Sequence, residues 1–101
     1  MDTLERGGTH LTARELKQLL TGGQKPQIVD VRSPDEFAAG HVPGAVNIPM
    51  EEVESRLADL ELEKPIVWVC QSGTRATMTC DLLEHRTAQS HVLDGGTSAW
   101  E

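Results

Sequence analysis

Ile66-Val67-Trp68-Val69-Cys70-Gln71-Ser72-Gly73-Thr74-Arg75 is the stretch on which the fold turns. Its first five residues form the strongest apolar run of the chain, β-branched and aromatic, and read as a buried central strand. Gln71 to Thr74 are polar and contain Gly73, so the strand gives way to a tight loop. Ala76, Cys80 and Leu83 then recur on one face of a helix that begins near Thr74.

The alternation continues on both sides. Upstream, Gln27-Ile28-Val29-Asp30-Val31 is a short buried strand. Ser33-Pro34-Asp35-Glu36 is a capping box with proline in the first helical position, and its helix is short because Gly40 and Pro43 follow. Ala45-Val46-Asn47-Ile48 is a strand closed by Pro49, and Val53, Leu57 and Leu60 predict an amphipathic helix over 51–60. Nearer the start, Thr12-Ala13-Arg14-Glu15 is another capping box, with Leu16, Leu19 and Leu20 at helical spacing and Gly22-Gly23 as the stop. Downstream, His91-Val92-Leu93 is a last strand, broken by Gly95-Gly96. Residues 1–8 read as a flexible terminus before a domain over 9–101. Strands alternating with helices predict an α/β fold, with a parallel or mostly parallel sheet and helices on both faces. Sites in such sheets lie beyond the carboxyl ends of the strands, where Cys70 falls.

A length of 101 residues predicts one small domain. Phe37, Trp68 and Trp100 are the only aromatic residues, so the core must be aliphatic. A net charge of -7 argues against a nucleic-acid or anionic-membrane surface, which would need lysine and arginine to displace counterions; the acidity reads as solubility. The first residues, Met1-Asp2-Thr3-Leu4-Glu5-Arg6, hold no apolar leader core, and no run is long enough to span a membrane. The expected location is the reducing cytoplasm, where the two cysteines, Cys70 and Cys80, are thiols rather than a disulfide.

A loop between a strand end and a helix start has backbone N–H groups free to converge on one point, and the helix N-terminus adds positive potential there. A Cys70 thiolate is stabilised in such a cradle. Gly73 allows the turn, Ser72 and Thr74 offer hydroxyls, and Arg75 supplies a charge or braces the loop through bidentate bonds.

Four segments resemble the rhodanese homology domain, over roughly residues 9–100. Asp30-Val31-Arg32-x-x-x-Glu36-Phe37 is similar to the family's Asp-x-Arg-x-x-x-Glu-[Phe/Tyr] segment. Gly40-His41-Val42-Pro43-Gly44-Ala45-Val46-Asn47-Ile48-Pro49 resembles its Gly-His-Ile-Pro-Gly-Ala-x-Asn-Ile-Pro. Cys70-Gln71-Ser72-Gly73-x-Arg75-Ala76 resembles the active-site loop of short prokaryotic members, and Leu93-Asp94-Gly95-Gly96-x-x-Ala99-Trp100 the closing segment. The resemblance implies a rhodanese-like five-stranded sheet and a sulfurtransferase. Cys70 would attack thiosulfate or another sulfane-sulfur donor, hold the sulfur as a persulfide cradled by Gln71, Ser72, Gly73, Thr74 and Arg75, and pass it to cyanide, a thiol or an acceptor protein. It implies no cofactor and no metal. Related phosphatases have one more residue between cysteine and arginine; the four between Cys70 and Arg75 make a narrower cradle, suited to sulfur. The alternative is a partner-dependent or non-catalytic module for sulfur delivery or sensing, since Arg75 is the loop's one cation.

The remaining residues are weighed by their surroundings. Asp30 and Arg32 are candidate rim residues, with a buried or half-buried ion pair as the favoured reading. Glu36 is expected to cap, Phe37 to enter the core, and His41 to bond backbone groups in its turn. His10, His85 and His91 have no metal-ligand spacing with the cysteines. Cys80 is expected to be buried filler, Glu51, Glu52 and Glu54 a solvated face, and Trp68 and Trp100 packing. Family members usually run on into a further helical segment. That segment is expected to be absent or trimmed past Glu101, and a parent protein with an anchor or second domain stays open.

Overall fold

The computed structural model describes residues 9–22, 26–83, 86–87 and 89–100. Residues 1–8, Gly23 and His85 lie outside these. In chain order the elements are β1 (Thr9–Leu11), α1 (Ala13–Thr21), β2 (Gln27–Asp30), α2 (Pro34–Ala38), β3 (Val46–Asn47), two 3₁₀ segments (Met50–Glu52 and Glu54–Asp59), β4 (Ile66–Val69), α3 (Thr74–Leu82), β5 (Ser90–Leu93) and α4 (Gly96–Trp100). The strands form one five-stranded sheet in the order β1-β5-β4-β2-β3, and every pairing is parallel.

The apolar run of β4 sits at the centre, and all four of its residues are buried. Side chains alternate across it. Ile66 and Trp68 join Val29 and Val92 on one face, packed against Ala76 and Cys80 of α3, Leu83 just past it, and Val53 and Leu57 of the 3₁₀ region. Val67 and Val69 join Ile28 and Leu93 on the other, packed against Leu16 of α1, with Trp100 of α4 at the margin. Each buried aliphatic side chain contributes about 1.5–3 kcal/mol relative to exposure. The Trp68 indole N–H donates to Ser90 Oγ at 3.4 Å, so the largest core residue leaves no polar atom stranded.

Both capping boxes form. Thr12 and Glu15 close α1, and Ser33 and Glu36 close α2, each with the reciprocal pair of bonds. Three expectations are corrected. β1 was not foreseen; its three residues are a strand because β5 pairs with them. Residues 51–60 are not one α-helix but two 3₁₀ segments, the second kinked where Arg56 leaves helical geometry (φ -117°, ψ 21°). Phe37 is not in the core: it is half-buried and stacks on His41, ring centroids 3.7 Å apart. Among the described residues no helix is long and apolar enough to cross a membrane.

Candidate active site

β4 delivers Cys70 to the carboxyl edge of the sheet, where the chain turns sharply before α3. The turn needs Gly73, which adopts φ +115°, in the left-handed region that favours glycine. The bend swings two amides onto the sulfur. Gly73 N–H donates to Cys70 Sγ at 3.0 Å, and Ala76 N–H donates to it at 3.3 Å. Ala76 belongs to the first turn of α3, so the free amides and positive end of a nine-residue helix face the sulfur. Cys70 is only 1% exposed. Its surroundings suit an anion bound to backbone N–H groups.

The loop is held from three sides. From the closing segment, Thr97 N–H donates to Cys70 O (2.8 Å) and Ser98 N–H to Gln71 O (3.2 Å). This approach requires Gly96. A Cβ there would lie 2.6 Å from the carbonyl carbon and oxygen of Gln71, and φ is +60°. The Gln71 side chain adds a second side: Oε1 accepts from Arg32 Nη1 at 3.1 Å, while Nε2 donates back to Ser98 Oγ at 2.6 Å. On the third side Arg75 forms a bidentate pair with Glu36, Nη1 to Oε1 at 3.0 Å and Nη2 to Oε2 at 3.1 Å.

Arg75 therefore braces the loop. Its guanidinium is held above its ordinary pKa chiefly by the bond to Glu36, with the Glu36 charge and, more weakly, that of Cys70 adding to the effect. The Glu36 carboxyl is lowered to about 2 by Arg75 first and by the Ser33 backbone second. Glu36 was expected only to cap; the ion pair to Arg75, 39 residues away, carries no local sequence signal. The clamping role of Thr97 and Ser98 was also missed.

Asp30 and Arg32 do not line an open rim. They are 0% and 3% exposed and bonded to each other, Nε to Oδ1 at 2.9 Å and Nη2 to Oδ2 at 2.8 Å. Ser72 and Thr74 are exposed. His41 Nδ1 bonds Phe37 O at 2.8 Å. Cys80 is on the buried face of α3, and neither cysteine is in a disulfide.

The model of the rhodanese-like domain matches residues 12–101 of this chain. The chain belongs to the rhodanese-like domain family. The thiosulfate sulfurtransferase GlpE of Shewanella oneidensis is 34% identical over 92 residues, covering 90% of each chain. A rhodanese-like domain protein from Staphylococcus aureus superposes with a TM-score of 0.85 at 32% identity, over 92% of this chain and 91% of that one. The human single domain sulfurtransferase TSTD1 gives a TM-score of 0.73 at 32% identity, over 90% and 93%. The α/β sheet with helices on both faces is thus the rhodanese fold, and relatives of near-equal length carry the name sulfurtransferase.

Proposed function

We propose that this rhodanese-like domain is a sulfurtransferase that carries sulfane sulfur as a persulfide on Cys70. The observation that carries the reading is the pair of amides, from Gly73 and Ala76, already directed at Cys70 Sγ. In the first half-reaction the Cys70 thiolate attacks the outer sulfur of thiosulfate or another donor. The donor's S–S bond breaks, and sulfite leaves with the electron pair. The Cys70 persulfide is then held by the loop amides from Gln71 to Arg75, and a thiol or cyanide removes its outer sulfur. Nucleophile, cradle and leaving-group site come from one loop, and no step calls for a metal or cofactor. A reducing cytoplasm fits a reaction that needs Cys70 as a free thiol.

Incubation with thiosulfate and cyanide is expected to release thiocyanate, and the intact mass to rise by one sulfur atom located on Cys70. Cys70→Ser is expected to abolish both. If wild type gains no sulfur from thiosulfate, polysulfide or a persulfidated protein, the reading is wrong.

A second reading, a module loaded by a partner protein rather than by thiosulfate, has one observation in its favour. Both guanidiniums that border the loop are already engaged, Arg75 by Glu36 and Arg32 by Asp30. A dianionic donor would meet two neutralised cations. The expected signature is slow thiosulfate turnover beside ready loading from polysulfide or a persulfidated protein. Fast thiosulfate turnover saturating at low concentration would remove this reading.

A further inference from the structure

Beside the Cys70 loop lies an open groove of about 400 Å³, lined by Ser72, Gly73, Thr74 and Met78 together with His10 and Asp94. His10 lies in β1 and Asp94 directly after β5. The parallel pairing of those strands, completed by Asp94 N–H to Leu11 O at 2.7 Å, brings together residues 84 positions apart. His10 Nδ1 meets Asp94 Oδ1 at 2.8 Å. A carboxylate accepts, so in the neutral ring this contact places the hydrogen on Nδ1 and the lone pair on Nε2. The two side chains are 51% and 56% exposed, open to a molecule in the groove.

Gly73 borders both the groove and the sulfur. Its N–H donates to Cys70 Sγ at 3.0 Å. A Cβ placed on it would lie 3.8 Å from Gly95 N and 3.9 Å from Leu93 O, so the loop abuts the turn that carries Asp94. Met78, 55% exposed, gives the groove an apolar contact for a short carbon chain.

We propose that this groove seats the acceptor thiol, and that His10, oriented by Asp94, takes its proton; the proposal rests on the persulfide reading of Cys70. The acceptor S–H bond breaks and the proton passes to His10 Nε2. The acceptor's sulfur electron pair forms a bond to the outer sulfur of Cys70–S–SH. The S–S bond of the Cys70 persulfide breaks, and its pair returns to Sγ as thiolate. The product is an acceptor persulfide, and His10 releases its proton to solvent. One S–S bond replaces another, so no oxidant or reductant is consumed. A free thiol is already a few per cent ionised near neutrality, which limits the gain from such a base to about ten- to thirtyfold.

The test loads the protein with polysulfide, removes excess donor, and follows single-turnover discharge by intact mass. The acceptors are 2-mercaptoethanol and, in parallel, sulfite, which in mildly alkaline buffer has no proton to lose. His10→Gln is expected to lower the ratio of thiol to sulfite discharge about tenfold, with Asp94→Asn changing it in the same direction by less. A dyad that only ties β1 to the sheet would slow both acceptors alike. An unchanged ratio in either variant that folds therefore overturns the proposal. Failure of wild type to load sulfur is seen before any acceptor is added, and would overturn the Cys70 reading together with this one.

Discussion

β2 and β4 are neighbours at the centre of the sheet, and each is followed by a buried polar device. After β2 the device is closed. The Asp30 carboxylate accepts from Arg32 Nε and Nη2 and from the Arg32 backbone N–H, while Arg32 also reaches Gly40 O at 2.7 Å and Gln71 Oε1 at 3.1 Å. Each charge is spent on a partner within the fold. After β4 the device is open. Cys70 Sγ is met by two backbone amides and, among the described residues, by no charged side chain that the fold has already paired with it. A buried ion pair fixes loops and has little left to offer a ligand. An amide cradle around a nucleophile keeps its capacity to stabilise incoming charge. The two are coupled, because Gln71 in the open loop is held by Arg32 of the closed one.

Opening the closed device has the largest expected effect. Arg32→Ala leaves Asp30 buried without its counter-charge, and the expected cost is about 3–5 kcal/mol, read as a fall in the urea midpoint. A loss below about 1 kcal/mol would mean that water reaches Asp30 and that the two strand ends do not differ as described. The next largest effect is on the open device. Gly96→Ala forces a Cβ into the Gln71 carbonyl at a left-handed position. A stability loss of about 2–3 kcal/mol is expected in thermal melts. Persulfide formation should also slow by about ten- to a hundredfold, because the carbonyls of Cys70 and Gln71 must move. Normal loading in a folded variant would show that the closing segment does not position the loop.

Both devices were legible, the closed one because Asp30 and Arg32 stand two residues apart and read as an ion pair. The open one could be read locally: a strand end, Gly73 and a helix start are consecutive in sequence, and they suffice to aim amides at Cys70. The capping boxes at Thr12 and Ser33 were legible for the same reason. β1 was not, since Thr9-His10-Leu11 has no apolar pattern of its own and owes its form to β5. Over 51–60 the spacing of Val53 and Leu57 correctly marked buried positions but not their backbone. No side chain caps the segment that Pro49 starts, and Arg56 departs from helical geometry. Phe37 was misplaced because α2 has five residues and buries none of them. The braces from Glu36 to Arg75 and from Gln71 to Ser98 join residues far apart in sequence, and only the sheet order brings them together.

The smallest effects belong to Glu36, whose pairing with Arg75 holds the open device partly shut. Glu36→Gln preserves the capping box, in which glutamine serves at the same position, while removing the charge opposite Arg75. With Arg75 freed, KM for thiosulfate is expected to fall about three- to fivefold, the scale of an exposed ion pair worth up to ~1 kcal/mol. An unchanged KM would take away the support for loading by a partner. The same variant has a defined pH signature. The Glu36 carboxyl is lowered from 4.5 to about 2 in the folded protein by Arg75 first and the Ser33 backbone second, so its contribution to stability is complete above pH 4.5 and lost as pH falls through about 2. The stability gap between wild type and Glu36→Gln should hold steady above pH 4.5 and close between there and about 2. A gap that kept its size to the bottom of that window would mean that the carboxylate braces the loop through something other than its charge.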